Sequence, residues 1–565
     1  MSNSEIVEKL EEAISYMELL ELNVFKINAY RKLSQEIEKT STPLNQMDEA
    51  AISAQFSKGM AMVLNQLLAT ETFSEMQEWE AIIPKGVRNM LDISGLGPKK
   101  VKTLWKDAGI ETVAMLKQFC LSGQLTQIKG FAAKAQDSIL AGIQFIESVQ
   151  GKALMHKGYE LSKVLEKELS AFGIEGFIAV GDLVLKSEVV SAIEFLIPIS
   201  ERQKTKSWFA QSENFELDQI NSGPFTLAGF HKEKGTIIRL FFAGSEEWAK
   251  QSYLLNSLDG HWQAAHAQGI PLYKTWKKGQ FQNEKELFEQ IGKPFVPADL
   301  RIGKFEWNED FSSKSESLIQ YSDLKGCLHN HSKYSDGKNT IEEMAYWCIS
   351  QGWQYFGIAD HSKSAQYANG LFEEMVQKQW AEIDLLNQKL GNFKVLKGIE
   401  SDILADGSLD YEADILQGFD YVVASVHSSM KMDIGTATNR LIRAIENPYT
   451  TILGHCSGRI LLKRPGYPLD YQKIIDACIA NGVVIEINAH PSRLDMDWEN
   501  LSSAIEKGAI ISINPDAHER EGMRLMEYGT YMARKAGAAK ENVLNAMSLE
   551  NIMAFLQKKT SKVLI

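Results

Sequence analysis

The chain has 565 residues, 44% hydrophobic and 24% charged, the balance of an ordinary globular protein. That length implies three or four domains, since single cores stop growing near ~250–300 residues. A net charge of −13 argues against indiscriminate binding of polyanions, and no apolar run reaches the length needed to cross a membrane.

The opening stretch MSNSEIVEKLEEAISYMELLELN reads as an acidic helix rather than a signal peptide. Five dispersed cysteines (Cys120, Cys327, Cys348, Cys456, Cys478) with no CxxC fit reduced thiols, not a disulfide framework. Apolar residues at helical spacing in IVEKLEEAISYMELL and MAMVLNQLL predict a helical domain over 1–82. Residues 1–80 carry six basic and fourteen acidic side chains, whereas 85–134 carry nine basic and three acidic. A basic module in an acidic chain is a candidate contact for a phosphate backbone.

Within 83–150 lies DISGLGPKKVKTLWKDAGI. Gly95 and Gly97 let the backbone approach a phosphate, the following helix start offers free N–H groups, and Lys99, Lys100 and Lys102 add charge. This is the helix-hairpin-helix pattern of sequence-independent DNA binding. QIKGFAAKAQDSI is a weaker echo in which Ala132 and Ala133 stand where the hairpin wants glycine, and QFSKGMAMVLNQL keeps only Gly59.

Residues 151–243 mix helix and strand signals, 244–306 read as mostly helical, and the polar, Ser-rich stretch over 307–322 reads as a linker. From 323 onward strands and helices alternate, which predicts βα units around a parallel sheet or barrel. Seven of the chain's eleven histidines lie here. Short apolar runs end repeatedly in ligand-type residues: GCLHNH, YFGIADH, VLKGIE, YVVASVH, TILGH and IISINPDAH. Delivering polar groups at strand C-termini is how a βα barrel builds an active site. Imidazole and carboxylate together suit Zn²⁺, Mn²⁺ or Fe, and nine such groups are too many for one ion. Two or three divalent ions are therefore expected.

In these motifs the chain resembles a bacterial family-X DNA polymerase. NVFKINAYRKLSQEIE looks like that family's N-terminal helix, GLGPKK like its hairpin, and GSEEWAKQ and IGKPFVPADLR like its thumb segments. The resemblance implies a multidomain α+β and α/β protein: a helical domain and a helix-hairpin-helix domain, a nucleotidyltransferase-like palm over 151–243 and a thumb over 244–306. It closes with a distorted (β/α)7 polymerase-and-histidinol-phosphatase (PHP) barrel over 323–565. Nine positions match the PHP ligand set: His329, His331, Asp336, His361, Glu400, His427, His455, Asp516 and His518. The resemblance groups them as His329, His331, Glu400 and Asp516; as Glu400, His427 and His455; and as Asp336, His361 and His518.

The same resemblance implies a 3′–5′ exonuclease acting on gapped or 3′-recessed DNA through backbone contacts, with no membrane partner and a place in the bacterial cytoplasm or nucleoid. His329, Glu400 and Asp516 are the expected catalytic positions. Arg459, Lys463 and Arg464 follow the His455 strand end, and Arg459 is singled out as a phosphate grip. Arg493 has the same status, Asp402 and Asp410 are candidates to orient ligand imidazoles, and His490 is expected not to be a ligand.

The palm departs from the family pattern. Gly181-Asp182 is followed by Val184 and Leu185 where two arginines belong, Asp-x-Asp has become Ala192-Ile193-Glu194, and the third Asp aligns with Ile237. One carboxylate of three cannot fix two Mg²⁺ ions, so loss of polymerase activity is expected. The alternatives are a small-molecule phosphatase of the histidinol-phosphatase kind, a non-enzymatic DNA-binding protein, and a polymerase still active through displaced acids such as Asp182 or Glu188.

Overall fold

The computed structural model describes residues 1, 3–38, 44–93 and 95–561. The chain divides after Gln150 into two units, 1–150 and 151–565. Among the described residues no helix is long and apolar enough to cross a membrane.

Among its described residues the first unit holds helices and no strand. Its helices are α1 (Asn3–Leu19), α2 (Val24–Glu38), α3 (Glu49–Gln55), α4 (Lys58–Thr70), α5 (Ser74–Ile82), α6 (Lys85–Met90), α7 (Pro98–Lys102), α8 (Val113–Leu121) and α9 (Ala133–Val149). The apolar stripes of the acidic and the basic halves join in one core, from Leu10, Met17 and Trp79 to Val101 and Ile143.

Two turns in this unit share one geometry. Gly95, at φ +89°, precedes the extended Gly97 that starts α7, and Gly130, at φ +97°, precedes the extended Ala132 that starts α9. A positive φ of that size is easy only for glycine. The second hairpin, expected to want its glycine, has it two residues before the capping residue Ala132. Ala132 occupies the capping position, where β-region dihedrals suit any residue.

The second unit holds three cores in chain order. In the first, β1 (Ile178–Val180), β2 (Ile193–Pro198), β3 (Phe215–Gly223), β4 (Thr226–His231) and β5 (Ile237–Ala243) form one sheet in the order β1-β2-β5-β4-β3. Strands β2 and β5 are parallel, with Glu194 beside Arg239. Helix α10 (Met155–Ala171) covers one face with Leu161, Leu165 and Leu169.

The second core is helical and centres on Tyr253, His261, Phe288 and Trp307. The Ser-rich stretch expected as a linker instead forms a helix, Phe311–Ser317. Phe311 joins this second core and Ile319 the third. The polar composition reflects the helix's exposed face, while Phe311, Leu318 and Ile319 turn inward.

The third core is a parallel barrel. Its strands are β6 (Gly326–Cys327), β7 (Tyr355–Gly357), β8 (Lys394–Leu396), β9 (Gly398–Asp402), β10 (Tyr421–Ser425), β11 (Ile452–Leu453), β12 (Val484–Asn488) and β13 (Ile511–Asn514). They pair as two parallel sheets, β8-β7-β6 and β9-β10-β11-β12-β13. Only Lys397 separates β8 from β9, so the two act as one bent strand and the barrel has seven staves. Single parallel bridges close the gaps, His361 to Glu400 on one side and Asn330 to Ala517 on the other. The strands are apolar and buried on both faces, as parallel strands under helices must be.

Candidate metal centre

All nine ligand-type side chains meet at the C-terminal ends of the barrel strands, around Glu400. Glu400 Oε1 lies 3.2 Å from His329 Nε2, 3.3 Å from His427 Nε2 and 2.9 Å from His455 Nε2. Its Oε2 faces His361 Nδ1 at 2.9 Å and His331 Nε2 at 3.8 Å. Asp516 Oδ1 stands 2.9 Å from His331 Nε2 and 3.6 Å from His329 Nε2. Asp336 Oδ2 stands 3.6 Å from His361 Nε2 and 3.4 Å from His518 Nε2.

These atoms fall into overlapping groups able to hold an ion: His329, Glu400 and His455; His329, His331 and Asp516; His361, Glu400 and His427; and His331, Asp336, His361 and His518. His331 thus also stands with the third of the expected sub-sites. His329, His331 and Glu400 are fully buried, whereas the Asp336 and His518 side chains are 31% and 39% exposed and mark the open side.

The donor set fits divalent cations on two observations. His361 Nδ1 and Glu400 Oε2 lie 2.9 Å apart without hydrogen-bond geometry, and with His329 Nε2 and His331 Nδ1 they are buried without a hydrogen-bond partner. Orphaned polar atoms at that depth are costly unless something charged or polar joins them. The charges also suit a cation. Burial opposes ionisation of Glu400, yet His427, His329 and His361 hold its carboxyl well below the usual range. Asp516 and Asp336 are likewise held down against burial by neighbouring imidazoles. Burial and the adjacent His518 and His361 push His331 down to about 3, leaving it a neutral donor.

The ring orientations are set from behind. His329 Nδ1 pairs with Glu486 at 2.8 Å, and His427 Nδ1 with Asp402 at 2.6 Å. Each contact turns the other ring nitrogen toward the cluster. Asp516 Oδ2 accepts from Asn488 Nδ2 at 3.0 Å. Asp410 holds the next loop instead, through the N–H of Ser364 at 2.6 Å and its hydroxyl. Asp516 sits at φ +52°, a left-handed backbone that costs a non-glycine residue and clusters at functional sites.

Glu486 escaped the sequence reading because it lies inside a strand rather than at its end. The available signal was a lone acid in the apolar run VVIEIN. His490 bonds its own loop at Ser492 Oγ, 2.7 Å away, and stands outside the ligand groups.

Arg459 is not where a phosphate grip is needed. Its guanidinium donates to Glu188 at 2.8 Å, to the Arg493 carbonyl at 2.8 Å and to the Leu494 carbonyl. The side chain therefore binds the protein itself. Arg464 likewise donates to the Gly458 carbonyl at 2.9 Å. Arg493 is the arginine that reaches the cluster, with Nε 3.8 Å from Asp516 Oδ2.

In the first unit Lys99 and Lys100 are exposed beside Gly97, where an added Cβ would meet nothing within 4 Å. Lys100 Nζ donates to the Gly95 carbonyl at 2.9 Å, and Lys102 pairs with Glu21 at 2.5 Å. In the palm-like sheet Glu194 Oε1 forms an ion pair with Arg239 at 3.0 Å. Asp182 accepts from the Ser191 N–H at 2.7 Å and from Ser187 Oγ at 2.8 Å.

The PHP domain family model matches residues 328–490, and that of a SAM-like helix-hairpin-helix tandem matches residues 87–160. The DNA polymerase/3′-5′ exonuclease PolX of Bacillus subtilis (strain 168) is 31% identical over 575 residues, spanning 99% of this chain and 100% of its own length. A probable phosphatase of Thermoanaerobacter sp. (strain X514) is 30% identical over 235 residues, 40% of this chain and 91% of its own. Among solved structures, the ternary P/T complex of Leishmania infantum polymerase beta covers 38% of this chain and 98% of its own, at 14% identity and a TM-score of 0.24.

Proposed function

The chain belongs to the family-X DNA polymerase/3′-5′ exonuclease (PolX) family, and from that premise we propose a metal-dependent phosphoesterase that trims DNA 3′ ends and no longer synthesises DNA. The observation that carries the reading is the convergence of nine ligand-type side chains on Glu400. Held by His329, His331, Asp336, His361, Glu400, His427, His455, Asp516 and His518, two or three Zn²⁺, Mn²⁺ or Fe ions would supply a hydroxide near neutral pH and offset charge on the phosphate oxygens.

The protein's own groups do the rest. Glu486 and Asp402 fix two imidazoles in the tautomer that leaves a lone pair facing the cluster. Asp336 and His518 are the most exposed of the nine ligand-type side chains, so the phosphate enters on their side. Arg493, beside Asp516, is placed to orient a phosphate oxygen. The hairpins at Gly95–Lys100 and Gly130–Ala132 offer backbone N–H groups and lysines to the DNA backbone, independent of sequence.

The palm-like sheet supports the loss of synthesis. Its one remaining acid at a catalytic position, Glu194, is paired with Arg239, and Ala192 and Ile237 stand where the other two carboxylates belong. Two ions of octahedral preference cannot be fixed by one neutralised carboxylate. Asp182 holds its own loop and is not free to replace them.

The test is degradation of a 3′-recessed oligonucleotide with Mn²⁺. His329→Ala and Asp516→Ala abolish it while far-ultraviolet circular dichroism stays that of the wild type. Degradation at the wild-type rate in both variants refutes the site. On gapped DNA with all four dNTPs the wild type extends no primer, and robust incorporation overturns the loss of synthesis. A second reading, a small-molecule phosphatase, is favoured by the match of the barrel half to probable phosphatases. Faster turnover of a small phosphate monoester than of the oligonucleotide would select it.

A further inference from the structure

The palm-like sheet keeps one acid at a catalytic position, Glu194, and that acid is paired with Arg239. One side chain connects the palm to the metal centre. Arg459 lies four residues past His455 and ties two loops together. On its own loop the N–H groups of Ser457 and Gly458 donate to Asp495 at 3.0 and 3.1 Å, and Gly458 N–H closes a turn on the His455 carbonyl at 3.0 Å. The Arg459 guanidinium then crosses to the other loop, at the Arg493 and Leu494 carbonyls. The first loop carries His455, whose Nε2 faces Glu400, and the second carries Arg493, whose Nε faces Asp516.

Arg459 Nη2, which donates to the Leu494 carbonyl, also donates to Glu188, 271 residues earlier in the chain. Glu188 lies beside the short strand Val189–Val190, which pairs with Ala153–Leu154 at the start of α10. This edge is seated on the barrel. Met155 is part of the barrel's core, and Lys186 Nζ donates to Tyr159 Oη at 2.6 Å and lies over the Tyr531 ring. Arg459 and Glu188 keep only 16% and 18% of their side chains exposed.

Asp495 and Asp497 also bear on Arg459 electrostatically. Without Glu188 the guanidinium is drawn toward Asp495, the group that holds the His455 turn. We propose that Glu188 is a positioning residue of the metal centre, and that the palm is retained as a working part of the hydrolase because it closes the Arg459 clamp. The clamp sets where His455 and Arg493 stand relative to Glu400 and Asp516. The inference rests on reading the nine-residue cluster as the metal centre.

The test uses the full-length protein with Mn²⁺ as the probe. Affinity is measured by calorimetry on metal-stripped protein, and kcat and KM on a 3′-recessed oligonucleotide. Glu188→Ala is expected to weaken Mn²⁺ binding by roughly 10–100-fold, the usual effect of removing a group that orients ligands. It lowers kcat with little change in KM, and Glu188→Asp recovers most of the affinity. Leu165→Ala, in the palm core away from Arg459, lowers the unfolding temperature and leaves Mn²⁺ affinity unchanged. Should Glu188→Ala not fold, the near-isosteric Glu188→Gln carries the same expectation. Wild-type Mn²⁺ affinity in folded Glu188→Ala or Glu188→Gln protein overturns the proposal, and so does an equal loss in Leu165→Ala. Because metal binding is read without turnover, a wild type that binds Mn²⁺ but leaves DNA intact sinks the nuclease reading and not this one.

Discussion

Replacing Glu486 with Gln tests whether the histidines are oriented from behind as the geometry requires. Glu486 Oε1 accepts from His329 Nδ1 at 2.8 Å and from Asn514 Nδ2 at 2.9 Å, while Oε2 accepts the His455 N–H at 2.9 Å. All three donors point at a residue 1% exposed. A carboxylate can accept all of them, but an amide has one oxygen. If the new NH₂ takes the place of Oε2, it meets the His455 N–H donor to donor. If it takes the place of Oε1, it meets Asn514 Nδ2 donor to donor, and His329 can avoid its own clash only by moving its proton to Nε2, which removes the lone pair facing Glu400 and Asp516. The first outcome leaves a buried donor unsatisfied, at about 1–3 kcal/mol of stability. The second weakens metal binding by roughly 10–100-fold, about 1.4–2.7 kcal/mol. Urea unfolding and Mn²⁺ calorimetry on the same preparation separate the two. A Glu486→Gln protein with both stability and Mn²⁺ affinity of the wild type refutes the orientation argument.

Two further outcomes follow from the structure. Lys535, 2% exposed, is lowered by burial to about 8 against the partial compensation of Glu188, Asp299 and Asp182. Below pH 8 both folded and unfolded chains carry the proton and the burial penalty is constant. From pH 8 toward 10.5 the folded chain has already released it, so stability rises by about 1.4 kcal/mol per pH unit from this group. Lys535→Met removes that contribution, and a wild-type-minus-variant stability that stays flat from pH 7.5 to roughly 9.5 in urea titrations rules it out. In the first unit Lys99→Ala lowers the salt dependence of DNA affinity by about 0.9 in log–log slope, the share of one phosphate contact. Lys102→Ala lowers it less, because Glu21 already holds that ammonium. Equal slopes for wild type and Lys99→Ala place the DNA elsewhere.

Much of the centre was legible in the sequence because a parallel barrel exposes only its strand ends. Each of GCLHNH, YFGIADH, YVVASVH and TILGH is an apolar run followed by a ligand-type residue, and the structure brings those residues to one place. What the sequence hid depends on distance or on direction. Glu486 points inward from mid-strand, where an acid is ordinarily excluded. Arg459 follows a ligand-bearing strand end, and partners 34, 35 and 271 residues away turn it inward. The second hairpin has alanine at the helix cap, and its turn needs glycine two residues earlier, at Gly130. The Ser-rich composition of 307–322 suggests a linker because it averages over the buried Phe311, Leu318 and Ile319.

The two single bridges that close the barrel have a consequence of their own. One joins His361 to Glu400, and the other joins Asn330, between His329 and His331, to Ala517, between Asp516 and His518. Each seam is therefore flanked on both sides by side chains of the cluster. Cations bound there would act as rivets across the least-paired joints of the fold, and stripping them would loosen the staves where they meet. Amide hydrogen exchange at residues 329–331, 361, 400 and 516–518 would then report the occupancy of the centre, while the continuous ladder from β10 to β12 keeps its protection. Whether the barrel is shut and whether the enzyme is loaded become the same question.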